Sequence, residues 1–314
     1  MLRRVSSDRV PSPPPPWIAD LCSDGLDVVW TGAGHGWMRF RRHAHLRYPT
    51  NDVAPVTTAE RREMFRHRRL VLQHHHRVED PARANACLYL CEDPDYSLDG
   101  LSSNNRSKVR RGLKRLDVRQ VEPSEVAASG YPAYSDTRGR HGMPHMTSRQ
   151  FTDLWGPRRL SASHEVWGAI GPEGIVAFGE VHLCGRWASL SATVSADRAL
   201  RDYPNQALFF TLLSDLMGRP GIESVSYGLS SLRPETGRDS LHRFKESVGL
   251  AAVPVRREIT LHPVLKPLVN PVSARAVAAL ERRRPESRLP RAARSALDML
   301  RGTTPPDAPE VADG

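Results

Sequence analysis

Two rhythms of apolar and polar residues alternate along this 314-residue chain, one with the period of a strand and one with that of a helix. Residues 25–30 and 37–40 read as strands. Thr58 followed by the Arg-rich stretch 60–70 reads as a capped helix. Ala86-Cys-Leu-Tyr-Leu-Cys91 is an unbroken apolar run, as in a strand buried on both faces, and Asp93-Pro94-Asp95 closes it with a turn. Val109, Leu113 and Leu116 recur at the i, i+4, i+7 spacing of a helix over 102–116, with Ser102, Ser103 and Asn104 as candidate N-caps. A strand over 116–121, helices over 124–138 and 148–160, and strands over 165–170, 175–183 and 187–194 follow. The turn Gly171-Pro-Glu-Gly174 makes the first two of those strands a hairpin. Pro204 opens a helix whose apolar face is Leu208, Phe209, Leu212, Leu213 and Leu216, ended by Gly218. A strand over 223–227, a helix over 241–248 capped by Asp239 or Ser240, and a strand over 253–261 complete the order. Meander plus crossover predicts an α/β (α+β) layer with one face sheathed by helices.

The flanks are different in kind. Residues 1–16 form a Pro-rich arm that cannot pack a core, and 263–314 is an Arg-rich helical or disordered tail split at Pro285. This divides the chain into an arm (1–16), an N-terminal α/β lobe (17–101), a main domain (102–262) and the tail.

Composition narrows the function classes. Hydrophobic residues are 39% and charged residues 25%, enough for a packed core. No apolar run reaches the ~18 residues of a membrane span, and the N-terminal residues lack the apolar core of a secretory signal. Cys22, Cys87, Cys91 and Cys184 lack the spacing of a zinc site, so reduced thiols and a cytoplasmic location are expected. The run His74-His75-His76 puts successive side chains in different directions, and no metal is expected there. The net charge is +10, carried by 41 arginines and only four lysines. Six of these charges crowd one helix: Arg106, Lys108, Arg110, Arg111, Lys114 and Arg115, with no acid among them. Like charges at i,i+4 repel by a few tenths of a kcal/mol, so such a helix is better explained by an anionic ligand than by propensity.

Three segments carry a resemblance. They are Arg106-Ser-Lys-Val-Arg-Arg-Gly-Leu-Lys-Arg-Leu-Asp-Val118, Tyr203-Pro-Asn-Gln-Ala-Leu208, and Tyr227-Gly-Leu-Ser-Ser231 followed by Ser240-Leu-His-Arg-Phe-Lys-Glu-Ser-Val-Gly249. With the element order of 116–262, they resemble the GNAT acyltransferase fold, which implies a mixed sheet flanked by helices, and most closely its FemAB-related, "acetyltransferase 6" (BioF2-like) branch. FemAB-type proteins tend to hold two GNAT-like lobes, so 17–101 is a candidate second lobe. The resemblance implies transfer of an acyl or aminoacyl group from acyl-CoA or aminoacyl-tRNA to an amine. The acceptor is then a small molecule or a cell-wall or surface-polysaccharide precursor, and no metal takes part. The chain departs from the CoA-dependent pattern at Arg198-Ala-Leu-Arg-Asp-Tyr-Pro-Asn205, which lacks the glycines of a pyrophosphate loop.

Acyl transfer needs a neutral amine, a polarised carbonyl and a protonated leaving group. Lys245 ranks first, as a cation that binds a phosphate or stabilises negative charge developing at the carbonyl, and the resemblance gives the matching lysine a substrate or donor role. Tyr227 is the candidate acid for the leaving group. Glu180 and His182, two apart on one strand, share a face and are candidates to relay the ammonium proton. Donor-binding candidates are Asn205, Gln206, Arg198 and Arg201, with the N–H groups of residues 205–207 at a helix N-terminus. Arg106, Arg110, Arg111 and Lys114 are the phosphate- or substrate-binding candidates. No Ser or Cys stands in a nucleophile-elbow context, which predicts direct attack without a covalent adduct. The rivals are an arginine-built nucleic-acid-binding protein and a GNAT scaffold that has lost catalysis and serves as a partner-binding subunit. Aromatic residues, at 6%, are not interleaved with the basic runs, which argues against a single-strand stacking platform.

Overall fold

The structure, a computed structural model, describes residues 13–66, 69–231 and 239–283. The strands are β1 (Val28–Trp30), β2 (Gly36–Arg41), β3 (Ala44–Tyr48), β4 (Val71–Arg77), β5 (Ala86–Cys91), β6 (Asp117–Gln120), β7 (His164–Gly171), β8 (Gly174–Cys184), β9 (Trp187–Ser195), β10 (Ser224–Ser231) and β11 (Ala251–Leu261). The helices are α1 (Pro16–Ser23), α2 (Thr58–Phe65), α3 (Ser103–Arg115), α4 (Pro123–Ser129), α5 (Tyr131–Arg140), α6 (Ser148–Trp155), α7 (Pro204–Met217), α8 (Asp239–Ser247) and α9 (Pro271–Arg283). All eleven strands form one mixed sheet, in the order β1-β2-β3-β4-β11-β5-β10-β9-β8-β7-β6. The expected mixed sheet flanked by helices is therefore present.

One supersecondary unit occurs twice in it. In the first, the antiparallel meander β1-β2-β3 passes through α2 to β4, which runs parallel to β3. In the second, the meander β7-β8-β9 passes through α7 to β10, parallel to β9. The parallel pairings are of equal length, Ala44–Leu46 on Val71–Gln73 and Trp187–Ser189 on Ser224–Ser226. Each unit then sends its next strand into the other. β5 follows β4 but pairs with β10 and β11, and β11 follows β10 but pairs with β4 and β5. A cut at 101/102 therefore crosses a continuous sheet.

Burial explains the layers. α3 and α7 cover one face of the second unit, where Val109, Leu208, Phe209, Leu212 and Leu213 pack on Ala177, Val181, Leu190 and Val225. α4–α6 cover the opposite face through Phe151, Trp155 and Phe178. In the first unit α2 closes a small core of Trp37, Val56, Met64 and Leu72. β5 is buried along its whole length, as its apolar run predicts.

Several expectations are corrected. The stripe Val109–Leu113–Leu116 gives way to Asn105, Val109, Gly112 and Leu116, and Leu113 faces solvent. The close crossing of α3 on α7 needs the glycine, and that rotates the leucine outward. The helix over 124–138 is two helices joined at Gly130, because Pro132 can neither donate its i→i−4 bond nor tolerate that carbonyl. α2 stops at Phe65 rather than 70, since Leu70 and Val71 must reach His43 to begin β4 beside β3. β3, β4 and α1 were not expected. The β3 sequence Ala-His-Leu-Arg-Tyr looks half polar, yet His45 and Arg47 are buried. Of the tail, residues 263–283 hold a 3-10 turn and α9, whereas the arm before residue 13 and the segment beyond Pro285 lie outside the described residues.

The first unit is unusually polar inside. Fully buried Arg47 binds Glu60 at 2.7 Å and Asp52 at 3.4 Å, and Trp37 Nε1 donates to the same Glu60 carboxylate at 2.8 Å. Burial holds His45, His74 and His75 at pKa values of about 4, and does the same to His182 in the second unit. The unfolded chain takes up these protons near pH 6.5, whereas the native state does not. Stability should therefore fall as pH drops from about 6.5 towards 4, by about 1 kcal/mol per pH unit for each of the four groups. Urea melts across that range test this; a midpoint flat between pH 7 and 5 would contradict it.

Candidate active site

The parallel pairing of β9 and β10 ends at Ser189 and Ser226, but β9 continues to Ser195 and β10 to Ser231. Beyond the last pair the two strands separate. Gly228, with φ +64, and the break in the β10–β5 register between Ser226 and Leu229 redirect β10 at this point. Tyr227 is the first residue past the pairing. Its ring packs on Phe209 of α7 at 4.9 Å, and its hydroxyl meets the Thr193 hydroxyl across the gap.

Lys245, on α8, lies against this residue. It is 4% exposed, unlike most lysines, which stay in solvent. Its Nζ donates to the Tyr227 carbonyl at 3.2 Å and to Ser230 Oγ at 3.0 Å. The same ammonium sits over two rings, Tyr89 at 4.7 Å and Tyr227 at 4.8 Å. Two aromatic quadrupoles thus meet the cation, and with the two hydrogen bonds they fix it in place. Burial, with the nearby Cys87 and Glu246, pushes the Tyr89 hydroxyl up to about 12, so it stays neutral, hydrogen-bonded to His242 Nδ1.

The basic helix adjoins this pair. Asn105 at the start of α3 donates to the Ser247 carbonyl at the end of α8. Further along, Gly112 lies so close to α7 that a Cβ there would stand 2.9 Å from Ala207 Cβ and 3.0 Å from the Tyr203 carbonyl. The solvent side of α3 bears a groove of about 370 Å³ lined by Ser103, Arg106, Ser107, Arg110, Arg111 and Lys114. Arg106 is paired with Asp99 at 3.8 Å and Arg115 with Asp202 at 2.5 Å, while Arg110 and Lys114 meet no carboxylate among the described residues. Arg111 stacks on the Tyr203 ring at 4.8 Å and so ties the cationic side of α3 to the start of α7.

At that helix start, Tyr203 adopts a left-handed conformation with φ 58, and Pro204 occupies the first turn. Asn205 Nδ2 donates to Ser195 Oγ at 3.1 Å, which joins the helix to the end of β9. Gln206 is half-buried beside it. The N–H of Ala207 is already bonded to the Tyr203 carbonyl, so only those of Asn205 and Gln206 remain of the three donors expected. Arg198 is turned away into an ion pair with Glu173, and Arg201 is exposed.

Glu180 and His182 do share a face, but it is the one opposite Lys245. They alternate with Ala177 and Val181, which pack under α7, and align with Phe178, which packs under α5 and α6. Glu180 binds Arg158 at 3.0 Å and His164 at 3.1 Å, and His164 also meets Asp24 at 3.3 Å. His182 Nδ1 is 2.5 Å from the Tyr48 hydroxyl. Burial pushes the Glu180 carboxyl up, yet the His164 hydrogen bond and the Arg158 charge outweigh it and hold it below the usual range. This cluster ties α1 and β3 to the second unit and does not reach the Lys245 pair. Sequence reasoning missed Thr193, Tyr89 and Ser230. Each looks like an ordinary strand residue until non-local pairing sets it beside Tyr227 or Lys245.

No family model matches the sequence, and no curated protein matches it. Among solved structures the fold is similar to that of FemX, with a TM-score of 0.57 and 11% identity over 81% of this chain and 93% of that one. It is also similar to the C-terminal domain of a putative lysylphosphatidylglycerol synthetase from Agrobacterium fabrum, with a TM-score of 0.48 and 15% identity over 77% and 86%. L-PGS from Bacillus licheniformis gives a TM-score of 0.47 and 12% identity over 80% and 93%. The likeness to FemX is one of fold: a mixed sheet flanked by helices.

The crossing at Gly112 makes a direct test. Gly112→Val should force α3 off α7 and lower stability by about 1–3 kcal/mol in chemical denaturation. An unchanged midpoint would contradict the close approach.

Proposed function

We propose that the protein transfers an acyl or aminoacyl group from a phosphate-bearing donor to an amine in the gap between β9 and β10. The observation that carries this reading is Lys245, whose buried ammonium is fixed beside Tyr227 where the strands part. The cationic side of α3 and the start of α7 meet through Arg111 and Tyr203, an arrangement suited to the phosphates of such a donor. The likeness of the three sequence segments to the FemAB-related branch of GNAT proteins supports the same reaction class.

In this reading the neutral amine attacks the carbonyl carbon of the donor, and the carbonyl electrons move onto oxygen. Lys245 stabilises that oxyanion, a contribution worth about 10²–10³ in rate when one such donor is removed. Collapse expels the thiolate or alkoxide, which takes a proton from the Tyr227 hydroxyl. The proton lost by the amine restores Tyr227 through Thr193 or water. No covalent enzyme intermediate is needed.

Acyl-CoA and aminoacyl-tRNA both fit the donor side. The glycine-free stretch before α7 favours a donor held mainly by side-chain cations, and this keeps the tRNA-linked reading beside the CoA one. The acceptor is an amine-bearing small molecule or a cell-envelope precursor, and the reaction is placed in the cytoplasm with no metal in the chemistry.

Product formation from each donor with a panel of amines, followed by mass spectrometry, tests the assignment. Lys245→Met should lower turnover at least 100-fold. Its Tm should also fall by a few degrees, because the Tyr227 carbonyl and Ser230 hydroxyl lose their donor. Full turnover in that variant, or no transfer from either donor by the unaltered protein, would contradict the reading.

A further inference from the structure

The histidine run behaves differently from its sequence-based expectation. It lies on β4, where side chains alternate, so His75 points to one face and His74 and His76 share the other. His75 is accounted for by a 2.7 Å contact of its Nε2 with the Thr50 carbonyl. His74 is not. It is 5% exposed, and neither ring nitrogen has a hydrogen-bond partner among the described residues. A buried imidazole with both nitrogens unsatisfied is costly, and native structures rarely keep one without a purpose.

A carboxylate stands directly across from it. β11 pairs antiparallel with β4 so that Glu258 lies opposite His74, and the nearest carboxylate oxygen is 3.7 Å from His74 Nε2. His76, two residues along β4, completes the group. One ligand atom from each of His74, His76 and Glu258 can be chosen so that all three lie within 4.8 Å of one another. Tetrahedral ligands about 2.0–2.1 Å from a zinc ion are separated by roughly 3.3 Å, so the three atoms would draw together on binding.

The surroundings suit a divalent cation. The nearby guanidinium of Arg47 is already neutralised by Glu60 and Asp52. Glu258 also touches Arg256 at 3.5 Å through its other oxygen, which leaves one oxygen for a metal.

The position has a meaning in the repeated unit. β3 and β4 pair only as far as Leu46 and Gln73, and His74 is the next residue. Tyr227 occupies that same place in the second unit, one past Ser226. Where the second unit keeps its strand gap beside Lys245, the first fills it with Trp37, Arg47 and the histidine pair.

We propose that His74, His76 and Glu258 form a site for one zinc-type divalent transition-metal ion, which clips β4 to β11 and keeps one coordination position for water. Two His nitrogens and one carboxylate with an open fourth position are a known zinc donor set. This inference does not depend on the transferase reading.

The test uses the full chain stripped of metal, with Zn²⁺ followed by calorimetry and Co²⁺ by visible absorption. One equivalent should bind, the Co²⁺ form should show tetrahedral d–d bands, and excess Zn²⁺ at a hundred times Kd should raise Tm by about 5 °C. His76→Ala and Glu258→Gln, at less buried positions than His74, should each weaken binding at least tenfold while the metal-free proteins still fold. No binding, or binding that survives both substitutions and so belongs to other histidines, would overturn the proposal.

Discussion

Everything about the candidate site depends on a parallel strand pair that stops after three residues. Parallel strands buried on both sides normally continue pairing, because an unpaired N–H or C=O inside a protein costs free energy. Here β9 and β10 part beyond Ser189 and Ser226, and the exposed positions are met by other groups. The hydroxyls of Thr193 and Tyr227 face each other across the gap, and the Lys245 ammonium takes the Tyr227 carbonyl. A cation that binds the backbone of a redirected strand is held more rigidly than one on a surface helix. It also remains close to the place where a carbonyl entering the gap would develop negative charge.

The first unit shows what happens when the same separation is filled. Its β3–β4 pair stops at the equivalent residue, but Arg47, Glu60 and Trp37 plug the space with a fully buried ion pair and its hydrogen bonds. Such a network is rigid and expensive to break. The exchange of β5 and β11 between the units then joins the two halves in a single sheet. The Glu180–His164–Asp24 cluster and the Tyr48–His182 contact add a second, polar seam on the opposite face. This is the work the structure gives to two residues that strand periodicity had placed among the chemical candidates.

Much of the second unit was legible in the sequence, because its signals are local. The Gly171–Gly174 turn fixes the hairpin, Pro204 opens α7, and the apolar face of α7 repeats at helical spacing. The six charges of α3 needed no structure to be noticed, and the helix falls where its caps put it. What escaped was whatever depends on pairing far along the chain. β3 could not be read because His45 and Arg47 look like surface residues until Glu60 and Asp52 neutralise the arginine. The Gly112 crossing was hidden because a leucine one residue later offered a more conventional stripe. Strand periodicity put Glu180 and His182 on one face but could not say which. The same rule, applied residue by residue to 74–76, obscured that alternate histidines meet on one side.

In the proposed transfer the phosphates of the donor would lie on α3 and its acyl group would enter beside Lys245. The most direct measurement is calorimetric titration with acetyl-CoA, a longer acyl-CoA and aminoacyl-tRNA, made on the unaltered protein and on a variant with Arg110, Arg111 and Lys114 replaced by Ser. One donor class should bind, and its affinity should drop at least tenfold in the variant, whereas the Tm should fall by a few degrees at most, from loss of the Arg111–Tyr203 stacking. Binding of neither class, or equal binding by both proteins, would contradict it.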